Sequence, residues 1–271
     1  MTQSSVSQHI SKLEEQLGVS LFIRNSRSTN LTDAGNILLE YIQHYNNSII
    51  SLLYKISSQN GELEGSVNYA IPPSCILSHH FPRLLERRLD HPSVELIIGL
   101  LPNDKIIREV IFGQANFGIV TEKVSHPLLD YQEFCKEEYI LVSSIKSHTE
   151  MLTDTKLLDQ RFVNYPGMNT YFNLWVQHFF PESQSINYRS LRHAGEINTI
   201  DGAIMMVLGG MGFSVFPRYC VQQYIEDGRL HEYRDEHKSP LRNSIYIITK
   251  TELDLPLRVK TVIQWLTEIE H

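Results

Sequence analysis

The residue types best able to hold a metal or act as nucleophiles are the twelve histidines and three cysteines of this sequence. His79 and His80 are adjacent rather than one helical turn apart, and neither an HExxH nor a CxxC motif occurs. Cys75, Cys135 and Cys220 lie far apart, which excludes a four-cysteine zinc site and a disulfide scaffold and suits a reducing compartment. There is no GxSxG, no GxGxxG and no Walker lysine. The expectation is therefore a protein that is not an enzyme, with no catalytic residues, no metal and no cofactor. Binding chemistry remains, and it sits at strand ends and helix starts. Pro73-Ser74-Cys75 follows an alternating strand pattern and is expected to open a helix running to about Leu89. Free backbone N–H groups beside a serine hydroxyl suit an anion or a carbonyl. Thr121 closes the apolar run FGIVT, Pro166-Gly167-Met168-Asn169-Thr170 and Glu196-Ile197-Asn198-Thr199 open two further helices, and Phe216-Pro217 ends a strand. Each alone reads equally well as an ordinary cap. Together they make Pro73, Ser74, Thr121, Gly167, Asn169, Asn198 and Phe216 the candidate ligand-binding residues, because open α/β sheets bind ligands at the carboxyl ends of their strands.

The chain that must position them has 271 residues, 42% hydrophobic and 20% charged, enough to bury a core in more than one domain. A net charge of −7 argues against coating nucleic acid by bulk electrostatics, yet leaves room for a small local DNA-binding element. No apolar run approaches the ~18 residues of a membrane span. The polar N-terminus lacks the hydrophobic stretch of a signal peptide. A cytoplasmic protein without a membrane partner is expected.

Val6, Ile10, Leu13 and Leu17 recur at helical spacing and predict a helix over residues 3–17, stopped by Gly18. The following VSLFIRNSRSTNLT reads as two short strands around a polar turn carrying Arg24 and Arg27. Thr32 is placed to cap a next helix, with Asp33 where the helix dipole favours an acid. Along that helix Leu38, Ile42, Tyr45, Ile49, Leu52 and Ile56 alternate spacings of four and three, the seam of a helix that pairs with another. A polar linker, SSQNGELEG, follows.

From residue 66 onward strand and helix patterns alternate, which implies a parallel or mixed sheet with helices on both faces. SVNYAI, VELIIGLL and FGIVT read as strands, DKIIREVIFGQA as a helix, and YQEFCK and EYILVSS as two further strands. A second series of the same kind begins near residue 150 with FVNYP, TYFNLWVQHFF, NYRSL as a strand, NTIDGAIMMVLGG, FSVFP and RYCVQQYIEDG. RNSIYIITK and an amphipathic last helix close the chain. Two similar α/β units in series suggest two lobes with a cleft between them.

These residues carry a family pattern. A helix running into Leu13-Glu14, a stop at Gly18, the run Leu21-Phe22-Ile23-Arg24 and then Leu31-Thr32-Asp33-Ala34-Gly35 resemble the DNA-binding end of LysR-type transcriptional regulators, with the spacing intact. GSVNYAIPPS, GQANFGIVT and LGGMGFSVFPRY resemble strands of that family's effector domain, although Asn116 stands where the family usually has aspartate. The resemblance implies an α/β fold: a partial winged helix-turn-helix (1–32), a dimerisation and linker helix (33–60), and a two-lobed periplasmic-binding-protein-like effector domain. Its first lobe would comprise 61–145 plus 244–271, and its second 146–243. It implies a DNA-binding transcriptional regulator, a homodimer or homotetramer, that answers to a small-molecule effector; an anion fits the helix starts. Gln3, Ser4, Ser7 and Gln8 match the family's DNA-contacting helix, and Arg24 and Arg27 its wing. The family often has proline at Ser4 and arginine at Gln8, and the second change removes a phosphate-binding cation. The family also has a further helix ahead of this one, so promoter DNA is expected as a partner once the helix-turn-helix is completed. The alternatives are a truncated, DNA-incompetent sensor or dimerisation partner, and a solute-binding protein.

Overall fold

The computed structural model describes residues 3–25, 28–39, 41–42, 45, 49, 63–145, 153–183, 185–233, 237–251 and 253–268. Two compact units form, one within the first 62 residues and one from 63–111 and 115–271.

In the first unit, helix α1 (Gln3–Leu17) ends at Gly18, whose φ of +69° is the left-handed conformation that glycine adopts without strain. Strands β1 (Phe22–Asn25) and β2 (Ser28–Leu31) pair antiparallel, Phe22 opposite Leu31 and Asn25 opposite Ser28. Residues 33–39 are helical. On the expected seam Leu38 is half-buried, while Ile42, Tyr45 and Ile49 are exposed; Leu52, Ile56 and the linker as far as residue 62 lie outside the described residues.

The second unit is built on one nine-stranded sheet. Its strands are β3 (Gly65–Ile71), β4 (Val94–Leu100), β5 (Phe117–Val120), β6 (Leu129–Ser143), β7 (Arg161–Asn164), β8 (Arg192–Glu196), β9 (Phe213–Pro217), β10 (His231–Tyr233) and β11 (Arg242–Lys250). Their order is β4-β3-β5-β11-β6-β9-β7-β8, with β10 also on β6. The parallel pairs β3/β4 and β3/β5 lie at one end and β7/β8 and β7/β9 at the other, with antiparallel β11 and β6 between them. Two sets of apolar side chains flank this middle. One, with Val67, Phe117, Ile247 and Val262, belongs to the first strands and the returning end of the chain; the other, with Phe162, Phe172, Val207 and Phe216, belongs to the segment between. The chain leaves one lobe along β6, builds the second, and returns along β11.

Three expectations about elements need correction. YQEFCK and EYILVSS are parts of one 15-residue strand. Glu137 falls between those two runs, but the backbone stays extended because residues 129–138 pair with β11 and 139–143 with β9. The helix expected from Pro73 to Leu89 is broken. A 3-10 turn (Pro73–Leu77) ends at Ser78, which is extended at ψ 156° and donates its hydroxyl to the Cys75 carbonyl at 2.7 Å, and helix α2 (His80–Leu89) starts afterwards. NYRSL is a 3-10 turn (Tyr188–Ser190), because the Asn187 side chain captures the N–H groups of Arg189 and Ser190 that a strand would have paired. The remaining helices are α3 (Asn103–Ile111), α4 (Asp154–Asp159), α5 (Met168–Phe179), α6 (Ile200–Leu208), α7 (Arg218–Glu226) and α8 (Leu257–Thr267).

Candidate functional site

A polar cluster is buried where the two lobes share β6. Ser74, on the turn after β3, and Tyr171, on α5, share a hydrogen bond at 3.3 Å that crosses from one lobe to the other. The Tyr171 ring lies 4.6 Å from that of Tyr139 and 6.4 Å from that of Tyr165, and Tyr165 stacks on Phe216 at 5.1 Å. Tyr171 also covers Gly167, where a β-carbon would meet its ring at 3.2 Å; with φ at +100° this position excludes ordinary side chains twice over. At the end of β5, Asn103 donates to the Thr121 hydroxyl at 2.7 Å and accepts from the Thr121 N–H at 3.2 Å. Asn243, on β11, donates to the Thr121 carbonyl at 2.6 Å and to the Tyr139 hydroxyl at 3.3 Å.

Glu137 lies at the base of this cluster. Tyr219 donates to one of its oxygens at 2.9 Å and Tyr139 to the other at 3.2 Å. Burial raises its carboxyl to about 7, against the pull of those two hydrogen bonds. Burial likewise pushes the three thiols up, Cys135 to about 12 and Cys75 and Cys220 well above their ordinary value, with the field of Glu137 adding to each. Thiols held protonated in this way are poor nucleophiles and poor metal ligands. Among the described residues no group of three or more His, Cys, Asp and Glu is placed to hold a metal ion, and no helix is long and apolar enough to cross a membrane.

In the first unit the local chemistry explains why each motif residue is there. The Glu14 carboxylate accepts the N–H of Leu21 at 2.7 Å and of Phe22 at 3.2 Å, tying helix α1 to the hairpin. Thr32 donates its hydroxyl to the Ser20 carbonyl at 2.7 Å, and the same oxygen accepts the Gly35 N–H at 3.0 Å, which caps the next helix. Ser7 and Gln8 are exposed on α1, along with 42% of Val6 and 48% of Leu17. Arg27, and the side chains of Gln3, Ser4 and Arg24, lie outside the described residues.

Residues 60–269 match the family model "LysR substrate binding domain", and residues 1–36 match "Bacterial regulatory helix-turn-helix protein, lysR family". This chain belongs to the LysR family of transcriptional regulators. The LysR-type regulator is 28% identical over 228 residues to the uncharacterized HTH-type transcriptional regulator YxjO of Bacillus subtilis, covering 82% of this chain and 74% of that one. It is 25% identical over 264 residues to the HTH-type transcriptional regulator GltR of the same organism, covering 94% and 83%. Its fold is similar to the crystal structure of ArgP from Mycobacterium tuberculosis, with a TM-score of 0.70 and 19% identity over 100% of this chain and 90% of that one. A family match at both ends favours a DNA-binding regulator with an effector domain over a solute-binding protein.

In this LysR-type regulator the ligand-binding candidates divide. Ser74, Thr121, Gly167 and Phe216 come together around Tyr139, Tyr165 and Tyr171, and Pro73 adjoins Ser74 on its turn. Asn169 and Asn198 are exposed; the first accepts from Asn173 at 2.9 Å, and the helix that follows Asn198 is capped by its neighbour Thr199. Sequence reasoning missed Asn103, Glu137, Tyr139, Tyr171, Tyr219 and Asn243. The acidic pair Glu137-Glu138 running into Tyr139 is the one signal the sequence offers for them. The Asn116 side chain accepts the N–H of Asn68, on β3, at 2.8 Å.

Proposed function

We propose that this regulator senses a small carboxylate held between its lobes, against Ser74 and the start of α5. The observation that carries the reading is the Ser74–Tyr171 hydrogen bond, a contact that a ligand of the right geometry replaces or extends and that exists only when the lobes meet. An effector bound there has different affinity for two lobe arrangements, which is all that population shift requires. No lysine or arginine is among the candidate residues, so hydroxyls and helix N–H groups meet the ligand's charge and affinity is micromolar to millimolar. Asn169 and Asn198 stand exposed on the second lobe, and an open ligand-binding arrangement gives each a part. The layout is a helix-turn-helix portion over 1–32, a linker helix over 33–60, a first lobe of 61–145 plus 244–271, and a second lobe of 146–243. The chain acts in the cytoplasm as a regulator and not as an enzyme.

Thermal shift with a panel of small carboxylates is the test, on the wild type and on Ser74→Ala and Thr121→Val. The expected loss for Ser74→Ala is about 0.5–1.5 kcal/mol of ligand binding, rising to ~3 for a charged partner. Equal shifts in all three proteins place the site elsewhere.

The exposed face of Ile42, Tyr45 and Ile49 supports pairing of the linker helix with a second copy. In the double variant Ile42→Lys and Ile49→Lys, unpaired charge buried in that seam is expected to cost several kcal/mol of association. Light scattering then reads a smaller species, and an unchanged oligomer rejects the seam. Promoter contact by Gln3, Ser4, Ser7, Gln8, Arg24 and Arg27 follows the helix-turn-helix geometry. Arg24→Ala and Arg27→Ala each lower the salt slope of DNA binding by about one. Unchanged slopes remove the two arginines from the interface.

A further inference from the structure

Behind the lobe junction lies a cavity of about 60 Å³ that the proposed effector does not use. Its walls are largely apolar, with Ile71, Leu84, Ile119, Phe134 and Leu266 among them. Ser78, His79, His80, Lys136 and Tyr219 also line it, and two further polar groups carry the argument. Tyr69 is only 2% exposed, and its hydroxyl has no hydrogen-bond partner among the described residues. A buried hydroxyl in that state lacks the compensation that nearly every other buried polar group has, which marks a place where a ligand atom or water belongs. Glu137 also lines the cavity. Each of its oxygens accepts one tyrosine hydroxyl, and a carboxylate oxygen has room for a second donor. The lysine of the lining, Lys136, is solvent-exposed. The arrangement therefore offers acceptors and an apolar wall, and it opposes a second negative charge.

We propose that this cavity is a second ligand site, separate from the one at Ser74, and that it takes a small primary ammonium on a short apolar chain, with the cationic head between the Tyr69 hydroxyl and the Glu137 carboxylate. Size limits the chain: the cavity is well under half of the ~150 Å³ that accommodates benzene in an apolar core. Position gives the site a consequence. Glu137 stands on β6, the strand both lobes share, and is held by Tyr219 from α7 of the second lobe, so occupation of the cavity touches the element about which the lobes are joined.

The experiment is calorimetric titration of the full chain at pH 8, where Glu137 is ionised, with n-propylammonium chloride and with 1-propanol, its uncharged isostere. Saturable binding of the ammonium, and much weaker binding of the alcohol, is expected. Tyr69→Phe, which deletes the unpartnered oxygen alone, weakens the ammonium roughly two- to tenfold. Cys135→Leu, which pushes two more carbons towards the cavity from a half-buried position, abolishes it. Binding of 1-propanol as tight as that of propylammonium overturns the proposal, as does the absence of saturable heat with the ammonium at tens of millimolar, or equal binding by wild type and both variants. Should either variant fail to fold, the wild-type comparison of ammonium against alcohol decides by itself.

Discussion

Gly35→Ala is expected to unfold the helix-hairpin unit while leaving the effector domain intact. A β-carbon at position 35 falls inside contact distance of the Leu21 carbonyl oxygen and meets a Leu31 methyl at 3.0 Å. The carbonyl cannot retreat freely: Leu21 is 3% exposed, and the same oxygen accepts the Thr32 N–H at 3.0 Å. Relief must therefore break that bond or the Thr32 cap beside it. Overpacking of this kind costs about 1–3 kcal/mol and occasionally more, and a lost hydrogen bond adds about 1 kcal/mol. A unit this small has little core to absorb the sum. Both tryptophans, Trp175 and Trp265, lie in the effector domain, so the near-ultraviolet signal of the variant should stay native. Amide hydrogen exchange at Thr32, Gly35 and Asn36 should meanwhile accelerate to the unprotected rate. Gly18→Ala is the milder comparison, since nothing lies within 4 Å of its added carbon and only the φ of +69° is strained. Wild-type protection in Gly35→Ala would show that the motif glycine is not there for close approach.

The second large effect is on the pH dependence of stability, through Glu137. Its carboxyl is raised from 4.5 to about 7 in the folded chain, with burial as the first cause. An acid with a raised folded pKa binds more protons folded than unfolded between those two values, so stability falls as pH rises through that window. The cost is absent below about 4.5 and fully present above about 7. At 1.36 kcal/mol per unit it amounts to about 3 kcal/mol, an order-of-magnitude figure. Glu137→Gln keeps the shape and removes the titration. Its unfolding free energy, measured in urea at pH 5 and pH 8, should gain on the wild type by about that amount between the two. Parallel pH curves for the two proteins would mean that the carboxylate is solvated in the folded state.

The first unit was legible because its information is local. Glu14 reaches Leu21 and Phe22, and Thr32 reaches Ser20 and Gly35, over spans short enough that spacing alone carries the pattern. The alternation of strands and helices in the effector domain was legible for a similar reason, because period-two and helical apolar patterns follow from what each element buries. The reading of two strands around Glu137 failed because of distant partners, since β11 and β9 take up the two halves of one β6. The Pro73 helix and the NYRSL strand failed for local reasons: Ser78 turns its hydroxyl back to the Cys75 carbonyl, and the Asn187 side chain captures two N–H groups. The candidate site shows the same division. Ser74, Thr121, Gly167 and Phe216 could be found one at a time, as ends of strands and starts of helices. Tyr171 on Ser74, Asn243 beneath Thr121 and Tyr219 on Glu137 could not, because each joins residues that the sequence separates and that only the packed sheet brings within hydrogen-bonding distance. A pairing term of that kind has no signature in the spacing of either partner; it exists only once β6 and β11 have drawn the two lobes onto one sheet.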